Sequence, residues 1–228
     1  MPESKAETLS AQAWKSCCNQ SEVISTHAVF GPKVIRLSTG EYIKVFNAKP
    51  GLTKRRWFPK YKKFYDNAQR LKALGFHTID ITHIYYLPHI NAYAVRYSPI
   101  SGDDFRHVFK KNPKAGIESL IDFLIQLHNH GIYFHGMHLG NVLYDDAGTF
   151  GIIDMADLTF HRAPLRMDLR VRQLRRLLRY HLDRSCFESI GIDEILALYV
   201  KKAGFSGIQK MWFDLIIRIR PPHFTFAI

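Results

Sequence analysis

Cysteine is scarce in this chain of 228 residues: Cys17, Cys18 and Cys186 are all there are. An odd number with two adjacent members gives neither metal-ligand spacing nor a disulfide framework. Reduced, structural thiols are therefore expected. Long apolar runs are missing as well. No stretch reaches the roughly eighteen apolar residues that a spanning helix needs, so no such helix is expected. The segment Met1 to Ser10 lacks the basic-then-apolar layout of a secretory signal and carries Glu3 and Glu7, which leads us to expect a cytoplasmic chain. Internal repeats, low-complexity segments and a Gly-rich phosphate loop are also lacking. Only Gly31 and Pro32 mark the place before Lys33 where such a loop would fall.

Acidic residues are in deficit, 20 against 32 Lys and Arg, leaving a net charge of +12. Such a charge favours partners with closely spaced negative charge, and nucleic acid, an anionic membrane surface and a phosphorylated sugar all qualify. Two basic clusters stand out. One runs Lys49, Lys54, Arg55, Arg56, Lys60, Lys62, Lys63; the other runs Arg162, Arg166, Arg170, Arg172, Arg175, Arg176, Arg179, Arg184. Charge runs are commonly solvated faces. The second run is nearly pure arginine, whose planar fork suits bidentate phosphate contacts. Hydrophobic residues make up 46% of the chain, enough for a substantial core in one domain or two small lobes.

The densest chemistry lies in His135-Gly136-Met137-His138-Leu139-Gly140-Asn141-Val142-Leu143, followed by Gly151-Ile152-Ile153-Asp154-Met155-Ala156. Val142 to Tyr144 reads as a strand, Asp145 to Gly148 as a turn, and Phe150 to Ile153 as a return strand. The hairpin spaces Asn141 and Asp154 by 154−141=13 and brings them to neighbouring strand ends. Two oxygen-bearing side chains suit Mg²⁺, which takes hard ligands and few protein contacts.

This arrangement resembles the protein-kinase-like superfamily, in the branch of bacterial lipopolysaccharide core kinases and toluene-tolerance-labelled members. The resemblance implies an α+β, two-lobed protein-kinase-like fold, with a small β-rich N-lobe and a mainly helical C-lobe. It implies an N-terminal extension over 1–24, an N-lobe over 25–97 and a C-lobe over 98–228. It further implies ATP and Mg²⁺ held by Asn141 and Asp154, with Asp154-Met155-Ala156 standing where the family has Asp-Phe-Gly. His138 stands where the family has a phosphate-facing His or Lys. Five positions before Asn141, where the family has its catalytic aspartate, stands Gly136.

Upstream, Val29 to Leu37 and Tyr42 to Phe46 read as two strands joined at Ser38-Thr39-Gly40. Lys44, inside the second, resembles the kinase lysine that pairs with nucleotide phosphates. From Trp57 to Leu74, Phe64, Ala68, Leu71 and Leu74 recur at helical spacing, and Gly75 ends the run as a cap. This resembles the helix that supplies a glutamate to the lysine, yet Asn67 occupies that position with Asp66 beside it. Either Asp66 substitutes, or Lys44 is held by phosphate alone. The aromatics Trp57, Phe58, Tyr61, Phe64 and Tyr65 read as core, with base stacking as the other use. Ala92 to Tyr97 reads as a strand ending in Ser98-Pro99-Ile100-Ser101-Gly102, the implied hinge, where backbone around Arg96, Tyr97 and Ser98 would meet the purine. Ile117 to His130, Met167 to Leu182 and Ile192 to Lys202 read as helices, and apolar Trp212 to Ile219 caps the larger lobe.

His135 reads as a structural hydrogen-bonding residue, and His138 as functional through its place in the loop. Asp157 is a further residue within reach of the site. The resemblance leads us to expect ATP-dependent phosphotransfer to a sugar hydroxyl of lipopolysaccharide core at the inner membrane face, by a cytoplasmic or peripherally bound protein. Two alternatives stay open: a nucleotide-binding pseudokinase, because of Gly136, and a basic nucleic-acid or membrane-binding module.

Overall fold

The computed structural model describes residues 6–28, 31–47 and 59–219. The chain is α+β, with a β-rich N-terminal region and a helical C-terminal part. It divides into two compact units: Met1–Ile100 with Asp154–Ala156, and Ser101–Ile153 with Asp157–Ile228.

The first unit is built on an antiparallel sheet extended by one parallel edge strand. Its elements are β1 (Glu7–Thr8), α1 (Ala11–Asn19), β2 (Glu22–His27), β3 (Gly31–Arg36), β4 (Tyr42–Asn47), α2 (Lys60–Ala73), β5 (His77–Thr78), β6 (Asp80–Leu87) and β7 (Ala92–Ser98). The strand order is β1-β6-β7-β4-β3-β2, so β4 and β7 are central. Their residues alternate between the two faces. Ile43 and Val45 of β4, with Ala92 and Ala94 of β7, pack against Trp14 of α1. The two alanines leave space for the indole. On the other face Phe64 of α2 sits 5.2 Å from Phe46, and Tyr61 stacks on Tyr93 at 3.9 Å. Burying a side chain such as Phe64 contributes about 1.5–3 kcal/mol.

The segment 1–24, expected as an extension, instead supplies β1, α1 and the start of β2 to this unit. The physical reason is Trp14, whose burial fastens α1 to the sheet. Ser10 caps that helix by accepting from the Ala13 N–H at 3.2 Å. Val29 and Phe30 of the first expected strand, and Trp57 and Phe58 of the expected helix, lie outside the described residues, as do Lys49, Lys54, Arg55 and Arg56. The helix ends one residue early, leaving Leu74 as an exposed cap where a core residue was expected. Gly75 then takes φ +80°, and the Phe76 N–H reaches the Leu71 carbonyl at 3.0 Å, which turns the chain off the helix axis.

The second unit contains β8 (Asp103–Asp104), α3 (Phe105–Lys111), α4 (Pro113–Asn129), β9 (Ile132–Phe134), β10 (Val142–Tyr144), β11 (Phe150–Ile152), β12 (Leu158–Phe160), α5 (Met167–Leu178), α6 (Arg184–Glu188), α7 (Ile192–Lys202) and α8 (Gly207–Ile219). The hairpin β10–β11 forms in the expected register, Val142 opposite Ile152 and Tyr144 opposite Phe150. On its other edge β10 pairs with β8. That short strand and α3 replace the plain connector expected after Ser98. Asp104 caps α3 and Asn112 caps α4, and Pro113 opens α4 four residues ahead of the expected start. The expected helix over Met167–Leu182 stops at Leu178 and is followed by a turn that buries Asp183.

Candidate functional site

Lys44 lies in the middle of β4 on the face shared with Phe46 and α2. Its Nζ is 5.5 Å from the Phe64 ring centre and 5.7 Å from that of Phe46. Burial lowers its pKa from the ordinary lysine value, and the Asp154 carboxylate opposes that shift. Nζ pairs with Asp154 Oδ1 at 2.7 Å; the Lys44 side chain is 11% exposed and that of Asp154 42%. The pair is therefore reached by solvent from the carboxylate side.

Asp154 carries φ +59°, a left-handed conformation that an L-residue adopts at some cost. The next residue is fixed from α2, since the buried Asn67 donates from Nδ2 to the Met155 carbonyl at 2.8 Å. This settles the choice left open for α2. Asp66 is exposed. Asn67 bonds backbone rather than the lysine, and the partner of Lys44 is Asp154. Burial, with the Asp154 charge second, raises the Tyr97 phenol pKa, so the ring stays neutral beside the pair. Arg96, Tyr97 and Ser98 close β7. Arg96 and Tyr97 pair with both β4 and β6, while Ser98 pairs with β6 alone. The Arg96 guanidinium is bonded to Glu41.

In the second unit the loop after β9 is suspended from buried polar groups. The Phe134 N–H donates to Gln173 Oε1 at 2.9 Å, and Gln173 Nε2 donates to the Met137 sulfur at 3.3 Å. The Leu139 N–H donates to Asp183 Oδ2 at 2.7 Å, while Arg106 Nε holds Oδ1 at 2.5 Å. Asn141 donates from its backbone to the His138 carbonyl and from Nδ2 to the Gly136 carbonyl, both at 3.0 Å. Its carbonyl accepts from the Ile153 N–H at 3.1 Å, one residue before Asp154 in the chain. The His138 ring stacks on Tyr180 at 4.4 Å and 8°. His135 is structural as read, with Nε2 at 3.1 Å from Thr159 Oγ1. A Cβ built on Gly136 would have only Asp157 Cβ within 4 Å, at 3.9 Å. Asp157 is exposed, and its carbonyl accepts from the His135 N–H at 3.1 Å.

A bound Mg²⁺ would need hard oxygens and few of them. With Asn141 Nδ2 donating to Gly136, its Oδ1 is the atom left to serve as a ligand, and the Asp154 carboxylate supplies the second. The donor set fits that ion and not zinc: among the described residues no group of three His, Cys, Asp or Glu could hold a metal. All three cysteines are free; Cys186 is buried, and Cys17 and Cys18 pack against the Trp14 core.

The arginine-rich run does not form the phosphate-facing surface expected of it. Arg170 is buried and donates to the Leu165 carbonyl at 2.8 Å and Asn129 Oδ1 at 2.9 Å. Arg175 bonds the Ile216 carbonyl, Arg176 the His135 carbonyl at 3.1 Å, and Arg184 pairs with Glu188. The forks are used as carbonyl and carboxylate clamps within the unit. Asp183, Arg106 and Gln173 went unnoticed in the sequence. Gln173 had a signal, a polar residue at an internal position of α5 beside Leu174 and Leu177; Asp183 had none. No protein-family model and no curated protein sequence matches the chain.

Proposed function

We propose that the protein is a kinase-like, ATP-dependent phosphotransferase. Lys44 would take nucleotide phosphate, Asn141 and Asp154 would take Mg²⁺, and His138 would face the transferring phosphoryl group. The acceptor we propose is a sugar hydroxyl of a lipopolysaccharide-type anionic glycolipid. One observation carries the reading: a buried strand lysine meets, at 2.7 Å, the aspartate that follows an Asn-bearing hairpin, across 154−44=110 residues of chain. Further support comes from the order of strands, helix, strand, connector, helix and hairpin, and from the left-handed Asp154. Without nucleotide the two charges neutralise each other. Phosphate would draw Lys44, and metal would draw Asp154.

Gly136 favours one rival, a pseudokinase that binds nucleotide without turnover. Phosphoryl transfer has a loose transition state in which positioning and charge stabilisation dominate, and loss of a general base costs about 10²- to 10⁴-fold. Asp157, whose Cβ is the neighbour nearest to position 136, is the carboxylate best placed to substitute. ATP with Mg²⁺ should raise the melting temperature, because a ligand of the native state stabilises it by mass action. Asp154→Ala should abolish that rise. No rise at millimolar nucleotide would remove both readings. A rise with no ATP consumption on any core oligosaccharide, even in Gly136→Asp, would leave the pseudokinase.

A further inference from the structure

The last described helix, α8, is amphipathic in an inverted sense. Phe213 is buried against Tyr199 and Phe205, and Arg175 of α5 bonds the Ile216 carbonyl, so one side of the helix is docked. On the opposite side Ile208, Met211, Trp212, Leu215 and Ile219 are between 48% and 69% exposed. Their spacing, i, i+3, i+4, i+7 and i+11, places them on an arc of about 100° at 3.6 residues per turn. Among the described residues nothing covers this ridge. A contiguous exposed apolar ridge with a tryptophan in its middle marks an interaction surface rather than scattered apolar exposure.

We propose that this ridge is a membrane-docking element, lying in the headgroup region of an anionic bilayer with the helix axis parallel to the surface. The charge of the molecule selects this occupant. A second copy would bring another +12 against the first, and like-charge repulsion opposes that pairing. An anionic lipid surface is complementary. Lys201, Lys210 and Arg218 line the groove along α7 and α8, against Asp193 and Asp214. Apolar residues with Trp on one side and basic residues alongside are what an interfacial helix uses, the apolar face sinking about 5–10 Å. The docking element is thus α8, and not the arginine run of α5, whose guanidinium groups are engaged within the unit.

The test uses the full chain and needs no nucleotide, so its failure and that of the phosphotransferase reading are distinguishable. Trp212→Ser with Leu215→Ser alters exposed positions only, and an unchanged melting curve verifies that the variant folds; Met211→Ser alone serves if it does not. Cosedimentation is measured with vesicles of phosphatidylcholine alone and with phosphatidylglycerol added. The parent should bind the anionic vesicles more tightly than the neutral ones, and the variant should lose about tenfold or more in partitioning. Equal binding by parent and variant would overturn the proposal, as would no binding by the parent. Two further results would overturn it by naming another occupant. One is a dimer that the substitutions dissociate, which assigns the ridge to a second copy. The other is vesicle binding only after deletion of residues 220–228, which assigns it to the chain's own tail.

Discussion

Two polar constellations, one in each unit, obey opposite rules. Beneath the loop of the second unit, Asp183, Gln173, His128 and Arg170 are buried and each meets hydrogen-bonding partners. In the first unit, Lys44 is buried but pairs with a carboxylate that is partly open to solvent and held at a strained backbone angle. Buried polar groups must be hydrogen-bonded or they cost several kcal/mol, so a closed network is a scaffold. A pair with one open member and stored strain is poised to exchange partners. The contrast separates what supports the loop from what meets a ligand.

The strongest way to break this comparison is Asp183→Ala. It leaves Arg106 and the Leu139 N–H without their shared carboxylate, and removing one partner of a buried pair costs roughly 3–5 kcal/mol. Denaturant unfolding should show that loss. A change under about 1 kcal/mol would mean that Asp183 is not the brace described.

Acid should act on the same network through His128, whose Nδ1 lies 2.7 Å from the Tyr199 hydroxyl. Burial, with the Arg170 charge second, lowers its pKa to about 3 from the model value of 6.5. A base whose folded pKa is depressed stabilises the fold fully above its unfolded value. Between about pH 6.5 and 3 the unfolded chain holds a proton that the folded chain refuses, so stability falls by about 1.4 kcal/mol per pH unit. His128→Gln should be less stable than the parent at pH 7, and the gap should narrow at that rate as pH drops. Parallel curves would show that His128 titrates normally.

The smallest effect is expected at the open pair. Asn tolerates a left-handed backbone and is nearly isosteric with Asp, so Asp154→Asn should change stability by no more than about 1 kcal/mol. It should also depress the Lys44 pKa further, which amine-resolved NMR titration would read. A loss comparable to that of Asp183→Ala would place the Lys44–Asp154 pair in the scaffold and erase the distinction.

Local pattern and spacing determined a good deal of this molecule. The Val142–Ile152 hairpin, the strand around Lys44, the core positions of α2 and the helix over Ile192–Lys202 were readable because each is set by periodicity and turn residues within a short window. Composition alone set the excess of positive charge. Tertiary structure decided the rest. That Lys44 pairs with Asp154, that Asn67 holds Met155 and that Asp183 carries the loop all depend on contacts between residues far apart in the chain, which no local period encodes. The arginines show the same limit from the other side. Arg170 and Arg176 look alike in sequence, yet one is buried and the other exposed, because a helix turns its successive residues to different surroundings and only the packed chain says which surroundings are carbonyls and which are water.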